Sequence, residues 1–213
     1  MRLEHQELVG SAGSAGRSLQ PRIISLCLIL LASGLIRLSL FYHFPALLTN
    51  DSWGYVAAAE TIHDSADFGN DYLGDVRMPA YPAFLAVTQP VTRMVSSHIV
   101  LLQKGVGILT ILLGAAVGIR LRSWWIANAL ALFLGLSPAF LLFEHTVMPD
   151  TLFVFLLLSL ILLFVWSAEG GLGWYKAVGM GAVIGTCAVT RPSAVPLCAV
   201  FAVGIVFVRY ARD

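Results

Sequence analysis

Three short stretches of the sequence carry side chains that could do chemistry, and they lie far apart along the chain. Asp51 stands in Asn50-Asp51-Ser52-Trp53-Gly54-Tyr55, where a carboxylate could orient and deprotonate a hydroxyl or amine brought to a membrane surface. The plainer role for Asp51 is an N-cap on the helix that Ala57, Ala58, Ala59 and Ile62 imply. Arg77 opens Arg77-Met78-Pro79-Ala80-Tyr81-Pro82, where a guanidinium could clamp a phosphate at headgroup depth or simply be solvated at the interface. Asp150 closes Glu144-His145-Thr146-Val147-Met148-Pro149-Asp150; it could cap the following helix or, together with Asp51, hold a divalent cation or an acceptor. Glu144 and His145 are further candidates in that stretch, although a single histidine at a helix end is more often structural.

These residues must be positioned by elements that face lipid. Of 213 residues, 58% are apolar and 12% are charged, about half the charged fraction of a soluble domain, so most of the surface meets something other than water. Thirteen Lys and Arg against twelve Asp and Glu offer no basic stripe for a phosphate backbone, which excludes nucleic acid as the expected partner. Cys27, Cys187 and Cys198 lie in apolar runs and read as small packing residues.

Apolar runs bounded by charge fall at 23–44, 99–119, 124–143 and 151–166, while 177–208 is too long for one span and is interrupted by Arg191-Pro192. A hairpin turning at Arg191 puts the guanidinium at the interface and uses the proline where a helix must stop, giving six transmembrane helices in an all-α, polytopic fold. With a cytoplasmic tail at 1–22 and a cytoplasmic end at 209–213, the inner side carries Arg2, Arg17, Arg22, Arg120, Arg122, Lys176, Arg209 and Arg212. Asp51, Glu60, Asp64, Asp67, Asp71, Asp75, Glu144 and Asp150 then fall outside, in accord with the positive-inside rule and a multi-pass plasma-membrane location. Arg37 and Lys104 sit within spans and are expected to face the bundle or snorkel. The long first external loop, 45–98, contains Trp53, Tyr55, Phe68, Tyr72, Tyr81 and Phe84, aromatic anchors that predict ordered interfacial helices.

The order of these motifs resembles the start of the membrane glycosyltransferases of the GT-C superfamily: a first span, an external loop opening on Asp51 and Tyr55, Arg-x-Pro-x-Tyr-Pro at 77–82, the 144–150 junction, and 185–190 leading into Arg191-Pro192. More specifically it is similar to the bacterial branch related to protein O-mannosyltransferases, lipid A aminoarabinose transferases and rhizobial lipopolysaccharide core transferases. The resemblance implies a polyprenyl-phosphate sugar as donor, a glycan, lipid or protein acceptor, inversion at the anomeric carbon and a site on the non-cytoplasmic face. It would make Asp51 the general base, Arg77 the holder of the lipid phosphate, Asp150 the second acidic residue and Arg191 a second phosphate contact. Two departures stand out. Ser52 follows Asp51 where family members usually carry a second acid, and the 23–208 domain ends where many members continue into further spans, as an N-terminal part would. A non-catalytic membrane subunit of the same fold is the alternative, with a small transporter behind it because only one helix break is evident.

Overall fold

The structure, a computed structural model, describes residues 2–66, 78–170 and 173–210. The fold is all-α: the described residues contain no strand, only an isolated bridge between Leu47 and Thr146. Its helices are α1 (Arg2–His43), α2 (Asn50–Ser65), α3 (Ala80–Thr92), α4 (Ser96–Arg120), α5 (Trp124–Leu136), α6 (Pro138–His145), α7 (Asp150–Gly170), α8 (Trp174–Ala188) and α9 (Val195–Tyr210). A 3₁₀ turn, Pro192–Ala194, precedes α9.

Three helical segments are long and apolar enough to cross a bilayer: Gln20–His43, Ser96–Arg120 and Asp150–Ala168. A fourth forms if α5 and α6 count as one span, bent by 51° at Ser137-Pro138. The proline has no N–H to give to Leu134, so the helix cannot continue straight through it. The other two of the six expected spans correspond to α8 and α9, which have 15 and 16 residues. At 1.5 Å per residue each covers about 24 Å or less, short of the roughly 30 Å hydrocarbon core. α1 runs back through Pro21 to Arg2, into the segment expected as a cytoplasmic tail. Good helix formers at the start of the chain, Arg2-Leu3-Glu4 and Gln6-Glu7-Leu8, favour that extension.

Side-chain pairs fix the directions of the helices. Ser25 meets Asn128 and Ser33 meets Gly135, so α1 and α5 run parallel. Gly118 faces Ala127 while Gly107 faces Glu144, so α4 is antiparallel to the α5–α6 pair. Gln103 meets Thr151, and Thr110 and Val154 line one small cavity, so α7 runs with α4. On α8, Arg191 at the exit pairs with Asp150 while Met180 accepts from Ser167, which makes α8 antiparallel to α7. Phe201 then packs edge-on against Phe164 at 5.9 Å, so the chain turns back at Arg191-Pro192, as the hairpin expectation requires.

The consequence is one pole, the α2 pole, that gathers the end of α1, both α2 and α3, the starts of α4 and α7, the end of α6 and the α8–α9 turn. Its core is Ala59, Tyr81, Leu85, Ile99, Val100 and Val147; a second cluster of Ile111, Ala115, Ala131, Leu134 and Leu158 fills the bundle between α4, α5 and α7.

At the opposite pole α4 and α5 approach closely. Arg122 adopts a left-handed backbone (φ 57°), Ser123 caps α5 through Ile126 N at 3.3 Å, and Ser123 N donates to Gly118 O. A Cβ on Gly118 would lie 2.8 Å from Ala127 Cβ and closer still to the Ala127 backbone, which cannot move without parting the helices. Gly118→Ala should therefore destabilise by about 1–3 kcal/mol. Gly179→Ala, where nothing lies within 4 Å, should change stability by less than about 1 kcal/mol. Unfolding midpoints in a mixed-detergent titration check both, and equal midpoints would refute the close approach.

Candidate functional site

The head of α2 is built by a capping box of Thr49 and Ser52. Thr49, not Asp51, is the N-cap: its hydroxyl accepts from Ser52 N at 3.3 Å, and Ser52 Oγ accepts from Thr49 N at 2.9 Å. Asp51 sits in the first turn with its side chain exposed, where a carboxylate is favoured by the helix dipole without being consumed as the cap. Ser52 Oγ also donates to Val147 O at 2.9 Å, and Thr49 Oγ1 donates to Met148 Sδ at 3.6 Å. The α2 head is thus fastened to the 146–149 segment, immediately before Asp150.

Asp150 and Arg191, 41 residues apart in sequence, form an ion pair. The Asp150 side chain is 11% exposed and the Arg191 side chain 39% exposed, so the acid is enclosed while the base is partly open. The Arg191 guanidinium also lies 5.9 Å over the Phe153 ring, which limits its rotation. The α8–α9 turn that carries it is tied to α3 by Ala80 N donating to Val189 O at 3.1 Å.

Beneath this surface Tyr81 is fully buried. Its ring meets Tyr55 edge-on at 5.2 Å, and its hydroxyl donates to Gln103 Oε1 at 3.4 Å. Burial first, then Tyr55 and the Asp150 carboxylate, push the phenol above its usual range. The phenol accordingly remains a hydrogen-bond donor at physiological pH, and both tyrosines serve as packing and orienting groups. Gln103 in turn donates to Thr146 O at 3.1 Å and Met148 O at 3.3 Å, which pins the segment entering Asp150 to α4. Sequence reasoning missed Gln103 and Ser52. The available signals were an amide in an otherwise apolar span and the Thr-x-x-Ser spacing that begins at Thr49.

Glu144 and His145 turn away from this group. Glu144, expected on the outer side, is 3% exposed and paired with Arg37 of α1 at 2.6 Å. Arg37 also donates to Gly135 O at 2.9 Å and Leu134 O at 3.4 Å, two carbonyls at the end of α5 beside the Ser137-Pro138 break. A cation at a helix C-terminus satisfies both its unbonded carbonyls and its dipole. His145 Nε2 is 2.9 Å from Pro45 O, and the imidazole borders an apolar cavity of about 350 Å³ with Leu40, Phe44, Pro138 and Leu142. Neither Asp51 nor Asp150 lines this cavity.

Arg77, the expected phosphate clamp, lies outside the described residues. Among the described residues no group of three or more His, Cys, Asp or Glu is arranged to hold a metal ion, and the Asp150 carboxylate is already neutralised by Arg191. The structure thus brings the Asp51 helix head and the Asp150–Arg191 pair to one pole and directs Glu144 into the bundle. The chain matches no protein-family model, no curated protein and no solved structure.

Proposed function

We propose that the chain is a membrane glycosyltransferase of the GT-C kind, or the N-terminal part of one, that moves a sugar from a polyprenyl phosphate to an acceptor at the α2 pole. The observation that supports it is the half-exposed Arg191 held by Asp150 beside the α2 head that bears Asp51. In this reading α5–α6 form one broken span, α8 and α9 form a short hairpin, and six crossings place the α2 pole on the non-cytoplasmic face of the plasma membrane. Arg120, Arg122 and Lys176, at or near the opposite pole, agree with that orientation.

The reaction needs two things from the protein. As the acceptor hydroxyl attacks the anomeric carbon, its proton must leave, and the exposed Asp51 carboxylate takes it. As the sugar–phosphate C–O bond breaks, negative charge grows on the departing polyprenyl phosphate, and Arg191 stabilises it. Asp150 acts through Arg191, holding the guanidinium in place. Inversion follows because attack and departure occur on opposite faces of the same carbon. No step requires a metal.

The experiment is to incubate membranes containing the protein with labelled polyprenyl-phosphate sugars and to follow the label into acceptor. Arg191→Ala should raise the donor concentration for half-maximal transfer by at least about tenfold, as loss of a charge-assisted phosphate contact predicts. Unchanged donor dependence would remove Arg191 from the site.

A further inference from the structure

Arg22, Arg120 and Arg122 are exposed at the pole opposite Asp51. The start of the α1 span, the α4–α5 turn, the end of α7 and the start of α8 come together there. With Lys176 these stretches hold four cations against one acid, Glu169, whereas Asp51, Glu60 and Asp64 are exposed at the α2 pole. Lys176 is buried, 4.7 Å over the Trp166 ring with Nζ donating to Trp166 O at 3.4 Å, so it ties α8 to the end of α7. The three arginines face outward.

Helix contacts set the level of these side chains. Ser25 Oγ lies 2.8 Å from Arg22 O and 3.1 Å from Asn128 Oδ1, so Arg22 stands one turn beyond that contact, level with Trp125 on the parallel α5. The left-handed backbone at Arg122 and the Ser123 cap start α5 beside it, and Trp125, three residues on, is 78% exposed. Arg120, at the end of α4, lies with its guanidinium 5.7 Å over the Trp166 ring.

The neighbours of these cations decide which anion fits. Ile119 and Leu121 flank Arg120, Trp174 and Tyr175 open α8, and all four are exposed as Trp125 is. A soluble anion would leave those groups in water, whereas a lipid brings acyl chains to cover them, and Trp and Tyr settle at headgroup depth. Charge then selects among lipids. An anionic phosphodiester answers the guanidiniums through charge-assisted bonds, while a zwitterionic headgroup brings a further cation among them.

We propose that the face bearing Arg22, Arg122 and Trp125, between α1 and α5, docks an anionic phospholipid. The two guanidiniums donate to its phosphate, and its acyl chains lie along α1 and α5. This surface takes no part in sugar transfer and is tested without it.

The test uses the full chain in phosphatidylcholine vesicles, with Trp53→Phe to silence the α2 pole, since the other four tryptophans lie at or near the opposite pole. Phospholipids brominated near the head of the acyl chain quench the indoles they touch. Brominated phosphatidylglycerol should quench as a ligand bound at least about threefold more tightly than brominated phosphatidylcholine. Adding Arg22→Gln and Arg122→Gln should lower that ratio at least about twofold, while Arg93→Gln, at the α2 pole, should leave it unchanged. Equal quenching by the two lipids, or a ratio that survives the loss of both arginines, would overturn the surface. An equal fall in the Arg93→Gln chain would overturn it too, because the preference would then follow net charge and not place. Soluble glycerol phosphate should not relieve the quenching. Relief as complete as with unlabelled phosphatidylglycerol would overturn a lipid as the occupant.

Discussion

Glu144→Gln should destabilise the bundle by about 3–5 kcal/mol, the range observed when one partner of a buried ion pair is removed. The substitution keeps the shape of the side chain, which matters because a Cβ on Gly107 would lie 3.0 Å from Glu144 Oε2 and closer still to Oε1. Packing against α4 is therefore retained, and the loss is electrostatic. Without the carboxylate, Arg37 and Lys104 become two buried cations with no anion between them. Arg37 would still reach the α5 carbonyls, but those bonds do not neutralise a second charge. Lys104→Met, which removes a group with no hydrogen-bond partner, should move stability by no more than about 1 kcal/mol. Combined with Glu144→Gln it should recover part of the loss, because the two groups share one network. Unfolding midpoints for the three variants give the comparison, and a Glu144→Gln midpoint equal to the original would refute the buried pair as a structural anchor.

Asp51→Asn should lower sugar transfer by about 10²–10⁴-fold, the usual contribution of a positioned general base. The amide is isosteric but has no affinity for the acceptor proton. Because Thr49 is the N-cap and Ser52 carries the bonds to Thr49 and Val147, the substitution leaves those bonds in place. Membrane insertion should therefore match that of the unaltered chain while transfer is lost. If Asp51 were structural, the opposite pattern would appear, with transfer falling only in proportion to folded protein.

The separation of these roles bears on what the sequence disclosed. The segments around α1, α4 and α7 were legible because length, apolar composition and flanking charge are local properties. The reversal at Arg191-Pro192 was legible for the same reason, since a charge and a proline adjoin in an apolar run. Pro138 gave an equally local signal for the break in α5–α6, yet the uninterrupted hydropathy of 124–143 concealed it. The Glu144–Arg37 pair was not legible because its partners lie 107 residues apart, and nothing near either residue announces it. The Asp150–Arg191 pair has the same character: both residues were singled out, but their meeting is a property of how α7 and α8 pack. Asp51 stands in the first turn at the helix head as expected, while the capping role offered for it belongs to Thr49, since the Thr49–Ser52 box forms both of its bonds.

The central claim is that the α2 pole carries out transfer, and vesicles reconstituted with the purified chain, a labelled polyprenyl-phosphate sugar and a mixed glycan and lipid acceptor fraction test it most directly. Label should leave the polyprenyl phosphate at least about a hundredfold faster than in protein-free vesicles, and Asp51→Asn should return it to the protein-free rate. Release by the Asp51→Asn chain at the rate of the unaltered chain, or no release by either above the protein-free rate, would contradict it.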